Sequence, residues 1–295
     1  MTKKSLIIGA AFVDVIMDVA QMPTSGSDVT AKLKSYNVGG CAFNVYGAIK
    51  YYLGANSADL FVPVGKGQYS EIVRKTMNYS KIPILLEDNH QDNGWDLCLV
   101  EPNGERTFIT VPGIEQDWKD EWFSKINLSD YKYFYVSGYE MEDVKSANLL
   151  LDHLEQRDND SYILFDASPR ISHIDSRILN RLITKGVIIN ANEDEIGFLN
   201  DRDTLEEKTS DVFGKTDEPV LVTLGAKGTY LYDDNGGRII SSDKVENVVN
   251  TIGAGDTHCG GVIAGLLNGN SFAEVCKIGN NLSAQVIQQE AGSLI

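Results

Sequence analysis

Apolar positions recur along the chain in two rhythms. Short apolar or β-branched runs at Ser5–Ala10, Asp59–Val64, Tyr131–Val136, Tyr162–Phe165, Val187–Asn190 and Pro219–Thr223 predict buried strands. Between them, Cys41–Leu53 (closed by Gly54), Glu71–Tyr79, residues 143–156 and Glu193–Leu199 carry helical patterns. Two more helices close the chain. The last starts at Ser271 with Glu274 three residues on, the spacing of a capping box, and repeats Phe272, Val275, Ile278, Leu282 and Val286 along one face. Strands alternating with helices predict an α/β fold, a mostly parallel sheet covered on both faces.

Two stretches break the alternation. Trp95–Glu101 and Arg106–Val111 flank Pro102-Asn103-Gly104-Glu105, and Asn-Gly between extended runs is a hairpin signal. Asp14–Val38 has little helical pattern and several β-branched residues. Both read as a small β appendage, a lid or edge sheet built from about residues 13–38 and 90–113. A length of 295 residues suggests two domains at first, but no repeat, low-complexity tract or linker divides the chain. One core spanning 1–295 with an inserted lid fits better.

Composition narrows the class. At 42% hydrophobic and 23% charged residues, the chain has enough apolar surface for a packed core, which excludes disorder. Its 26 basic and 42 acidic side chains leave a net charge of −16. A field of that sign repels DNA, RNA and anionic membranes, so nucleic acid and membrane are not expected partners. The apolar stretch Leu6–Phe12 is too short for a signal peptide, and no run approaches the ~18 residues of a membrane helix. Cys41, Cys98, Cys259 and Cys276 are far apart, as in a reduced, cytoplasmic protein. His90, His153, His173 and His258 are equally scattered, so a zinc site is not expected.

Candidate chemistry centres on Asn250-Thr-Ile-Gly253-Ala254-Gly255-Asp256. Its glycines allow a tight turn into a helix starting near Ala254. A helix N-terminus with free amides attracts anions, and Asp256 in the first turn suits a proton-accepting base beside a phosphoryl group. Gly39 and Gly40 precede another helix, one turn into which Asn44 offers a donor and acceptors. Asp14, the Asn192–Glu195 segment and Thr223-Leu-Gly225-Ala-Lys-Gly228 each follow a predicted strand. Taken singly they read as surface polarity. Together they share the C-terminal rim of the sheet, where open α/β folds bind ligands. No P-loop, no G-x-G-x-x-G after the first strand and no G-x-S-x-G elbow occurs.

On these residues the chain resembles the ribokinase-like, phosphofructokinase-B type carbohydrate kinases. Asn250 to Asp256 is similar to the family's C-terminal signature, with Asn250 in place of Asp. Gly39-Gly40-Cys-Ala-Phe-Asn44 is similar to the N-terminal one, departing at Tyr46. Asp92-Asn-Gly-Trp-Asp and Asn103-Gly-Glu-Arg resemble a bacterial subgroup of poorly characterised sugar kinases. The resemblance implies a Rossmann-like αβα sandwich with a β-sheet lid, often shared across a homodimer. It implies Asp256 as catalytic base and Gly253, Ala254 and Gly255 as anion hole. Asp14, Gly39, Gly40 and Asn44 would hold sugar hydroxyls, and Asp166 and Arg170 would lie near substrate or phosphates. Thr223, Gly225 and Gly228 would contact ATP, while Asn192 and Glu195 would position hydrated Mg²⁺. A monovalent cation is left open. The expected reaction is phosphorylation of a primary hydroxyl on a small sugar. The alternatives are a nucleoside kinase, including a pseudouridine type, and a non-catalytic sugar or nucleotide sensor.

Overall fold

The computed structural model describes residues 3–295; Met1 and Thr2, part of the N-terminus weighed as a leader, lie outside them. β1 (Lys4–Ile8) leads into an antiparallel pair, β2 (Phe12–Val19) and β3 (Ala31–Gly39), followed by α1 (Cys41–Leu53) and β4 (Ala58–Phe61). Next come β5 (Pro63–Val64), α2 (Gln68–Tyr79), β6 (Leu86–Glu87) and a hairpin of β7 (Trp95–Val100) and β8 (Arg106–Val111). The chain continues through β9 (Tyr131–Ser137), α3 (Val144–Leu154), β10 (Tyr162–Asp166), α4 (Ser176–Leu182), β11 (Val187–Asn192) and α5 (Leu205–Thr216). It ends with β12 (Val220–Thr223), a second hairpin of β13 (Thr229–Asp233) and β14 (Gly236–Ile240), then α6 (Ala254–Leu267) and α7 (Phe272–Val286).

The large sheet has the order β14-β13-β12-β11-β10-β9-β1-β4. From β4 to β12 its pairings are parallel; β13 and β14 run antiparallel. The chain steps from β1 to β4 on one side and later to β9 on the other, a switch that leaves a crevice at the C-terminal strand ends. Alternate side chains feed two cores. Leu6, Phe134, Phe165 and Ile189 pack with Leu150 of α3, Ile178 of α4 and Val212 of α5. Ile7, Tyr135, Leu164 and Ile188 pack with Ile49 of α1, Val262 of α6 and Val275 of α7. Burial on both faces explains why these strands read as continuous apolar runs.

A second, four-stranded sheet has the order β3-β2-β7-β8 and contains the two segments read as a β appendage. Val13, Val15, Trp95 and Leu97 on one face join the core with Tyr69, Ile72 and Val73 of α2. The Tyr69 and Trp95 rings stack at 4.9 Å.

Several expectations need correction. The strand expected over Asp59–Val64 breaks at Val62, and β5 leaves to pair with β6. Pro63 has no N–H to continue the ladder. The helix expected over Glu193–Leu199 is a single 3₁₀ turn, Glu195–Phe198. Asn192 Oδ1 accepts from the N–H groups of Asp194 (2.9 Å) and Glu195 (2.8 Å), closing a tight turn instead of starting a helix. α2 begins at Gln68, ahead of Glu71. α4, α5 and the β13–β14 hairpin are additions; α5 carries its own signal, a capping box of Thr204 and Glu207. The Ser271–Glu274 box caps α7 as expected. Among the described residues no helix is long and apolar enough to cross a membrane.

Candidate active site

The C-terminal strand ends open into a cavity of about 760 Å³. Eleven of the expected residues line it: Asp14, Gly40, Asn44, Asp166, Arg170, Asn192, Glu195, Thr223, Gly253, Gly255 and Asp256. Gly39, Ala254, Gly225 and Gly228 do not. Gly39 lies behind Asp14, and a Cβ there would meet Asp14 Oδ2 at 3.2 Å. Gly225 and Gly228 bound the 3₁₀ turn after β12, one step out from Thr223.

The local geometry explains the glycines. Gly40 caps α1 at φ 97°, and a Cβ would stand 2.7 Å from the Ala10 carbonyl. This close approach brings the start of α1 against the β1–β2 turn and carries Asn44 into the cavity. Gly253 caps α6 at φ 73°, where a Cβ would meet the Gly292 carbonyl at 1.9 Å. The turn therefore aims the first N–H groups of α6, which have no intrahelical acceptor, toward the cavity. Above Gly255 nothing lies within 4 Å of an added Cβ, so the approach is open.

Asp256 is half-buried in the first turn of α6. Asn44 Nδ2 donates to its Oδ2 at 2.8 Å, and burial pushes its carboxyl above the usual range, against the bonds from Asn44 and Cys41. Asp166 lies at the end of β10. Burial, then the Asp256 charge, pushes it up to about 7, against bonds from Asn190 and Tyr135. Glu140 is raised to about 7 by burial, although Ser137 Oγ donates to it at 2.7 Å. Arg170 stands 5.7 Å over the Tyr139 ring and 3.6 Å from Glu142. It is the one basic side chain in a lining that holds eight carboxylates.

Sequence reasoning missed Asp96, Glu115, Glu140, Glu142 and Asn190, all of which border the cavity. Glu140 had a legible signal, the Ser137-x-x-Glu140 capping box. Asp96 had a weaker one, a carboxylate alternating with Trp95 and Leu97. The rest are assembled by topology. His258 is pushed down to about 4 by burial and is therefore neutral, bonded to Thr229 and Asn190. Burial raises the Cys41 and Cys259 thiols well above their ordinary value, which removes them as nucleophiles. Trp118 and Trp122 pack in the core and not on a ligand, and Trp95 faces α2.

The open start of α6, the half-buried Asp256 carboxylate and the polar wall around Asp14 and Asn44 meet in one crevice at the strand switch. A family model described as "pfkB family carbohydrate kinase" matches residues 2–294, and this chain belongs to that family. It is a kinase of the sugar and nucleoside class. The chain is 33% identical over 291 residues to the uncharacterized sugar kinase YegV of Escherichia coli (strain K12), covering 97% of this chain and 89% of that protein. It is 24% identical to adenosine kinase of Saccharomyces cerevisiae, covering 85% and 78%. The ribokinase of Thermotoga maritima superposes with a TM-score of 0.81 at 21% identity, covering 98% and 94%. That likeness identifies the fold as ribokinase-like α/β.

Proposed function

We propose that the protein transfers the γ-phosphoryl group of ATP to a primary hydroxyl of a small neutral sugar. The observation that carries the reading is Asp256, half-buried in the first turn of α6 and held by Asn44 beside an open helix N-terminus. Asp256 accepts the proton of the attacking hydroxyl. The amides of Gly253, Ala254 and Gly255 hold the phosphoryl oxygens as charge spreads over them. Asp14, Gly40 and Asn44 hold the other sugar hydroxyls, and Gly39 leaves room for the Asp14 carboxylate. Asp166 and Arg170 flank the phosphates, and Thr223, Gly225, Gly228 and Asn192 follow the nucleotide.

The donor chemistry fits Mg²⁺. Asp166 and Glu195 bring hard carboxylate oxygens to one cavity, while among the described residues no set of three or more His, Cys, Asp or Glu could hold an ion alone. That suits an ion bound through water and substrate phosphates, which neutralises phosphate charge when present. Glu195 would orient that water, its Oε2 anchored by the Asn192 N–H at 2.9 Å. The small sheet acts as a lid that excludes water. Its exposed Leu33, Tyr36, Ile109 and Val111 support a homodimer formed through it. Four free cysteines support a reducing, cytoplasmic setting. A monovalent cation is a further requirement to test.

A nucleoside acceptor is the second reading, favoured by the adenosine kinase relative. ADP release from Mg-ATP over a panel of sugars and nucleosides, with and without K⁺, decides between them. Turnover with free sugars supports the first reading and turnover with nucleosides alone the second. Ligand-induced thermal stabilisation without any turnover would make the protein a sensor.

A further inference from the structure

A row of four polar side chains crosses the lid at right angles to its strands. The register sets Asn37 of β3 opposite Asp14 of β2, Asp14 opposite Asp96 of β7, and Asp96 opposite Thr110 of β8. Residues directly opposite share a face. Asp14, Asp96 and Thr110 all line the cavity, as do Phe12 and Phe108, two residues before Asp14 and Thr110. The other face of the lid, with Val13, Val15, Trp95 and Leu97, is the one that packs on α2. Packing therefore asks for no carboxylate at position 96.

Two acceptor atoms in this cavity are given no N–H or hydroxyl donor by the chain. Asp96 Oδ1 is buried without a hydrogen-bond partner, and so is Oδ1 of Asn44, which is 4% exposed. Leaving such atoms unpaired costs about 1–3 kcal/mol each, a cost a hydroxyl-bearing ligand removes.

Resting on the kinase reading above, we infer that Asp96 is a specificity-determining residue. With Asp14 it grips two neighbouring hydroxyls at the end of the substrate remote from the reacting CH₂OH, between the rings of Phe12 and Phe108. The substrate class is a neutral polyhydroxylated compound with a vicinal diol at that end; a carboxylate or phosphate there is refused. Burial raises both carboxyls; the Asp96 charge raises Asp14 further, while the hydrogen bond between the two lowers Asp96, so Asp14 keeps a shared proton to the higher pH. One donor and several acceptors then face a diol, whose hydroxyls each donate and accept. The other charges acting on the pair are Asp256 from α6 and Arg106 from β8.

The test uses Asp96→Ala and Asp96→Asn in the full chain. Initial rates are measured with the preferred acceptor of the panel and its mono-deoxy analogues, and unfolding is followed as a control. Asp96→Ala is expected to raise the acceptor KM about 10- to 100-fold, with kcat and the ATP KM little changed. One deoxy analogue should lose in wild type what it no longer loses in Asp96→Ala. In Asp96→Asn the like charge is gone, so Asp14 ionises more readily and the pH profile of kcat/KM moves to lower pH. A folded Asp96→Ala with unchanged KM and unchanged deoxy discrimination overturns the inference. If wild type releases no ADP with any acceptor, the kinase reading is what fails. Thermal shifts by the same compounds then decide the lid row. A shift lost in Asp96→Ala supports it; equal shifts, or none, overturn it.

Discussion

The carboxylate of Asp256 is held by a neutral amide and a thiol, so no cation keeps it ionised. Burial raises its affinity for a proton, which is what a base acting on a hydroxyl near neutral pH needs. Asp256→Asn is expected to lower kcat about 10²- to 10⁴-fold while leaving the melting temperature equal or higher; steady-state rates with thermal melts check this. Glu140 titrates with the opposite kind of consequence. Its folded pKa of about 7 exceeds the ordinary 4.5, so folding favours its protonated form. That stability is full below about pH 4.5 and is lost as pH rises through about 7, on the order of 3 kcal/mol. Glu140→Gln should flatten the fall in stability between pH 5 and 8 in urea titrations. Both roles differ in how they could be read. Asp256 and Asn44 were legible because each sits beside glycines that announce a tight helix start. Asp96 and Glu142 were not, because nothing in their own neighbourhoods says which wall they join.

Among the elements, α6 is the one whose sequence and packing answer each other most directly. Gly260 and Gly261 bring it close to its neighbours. A Cβ on Gly260 would stand 2.6 Å from both Ala48 Cβ and the Val45 carbonyl of α1, and one on Gly261 would stand 2.8 Å from Gly279 Cα of α7. Gly260→Ala must therefore push apart the two helices whose first turns carry Asp256 and Asn44. We expect a loss of about 1–3 kcal/mol, read by urea denaturation, together with a larger fall in kcat than in affinity for ATP. The apolar strands were legible for a related reason, since burial on both faces leaves little room for polar residues. The element at Glu195 was not, because Asn192 and Glu195 bond their own backbone and turn a helical pattern into one tight loop. Pro63 divides one apolar run between two sheets in the same manner, a competition that hydrophobic pattern does not record.

At the scale of the whole molecule, the function proposed above would have an acidic chain take an anionic nucleotide through backbone amides and a cation, not through a basic surface. The lid sheet leaves Leu33, Tyr36, Ile109 and Val111 exposed, so light scattering should report a dimer. Leu33→Asp with Ile109→Asp should shift it toward monomer. Strand order and the pairing of the lid were beyond the sequence, since both depend on contacts between distant segments. Those contacts also gather eight carboxylates and a single guanidinium round the cavity. An acceptor of the neutral class proposed above would enter such a place uncharged and leave it as a dianion. Turnover would then change the guest from one the walls tolerate into one they repel, and the same charges that leave the substrate undisturbed would favour product departure. The phosphorylated compound should inhibit only at concentrations well above the acceptor KM, and the gap should narrow as added salt screens the walls.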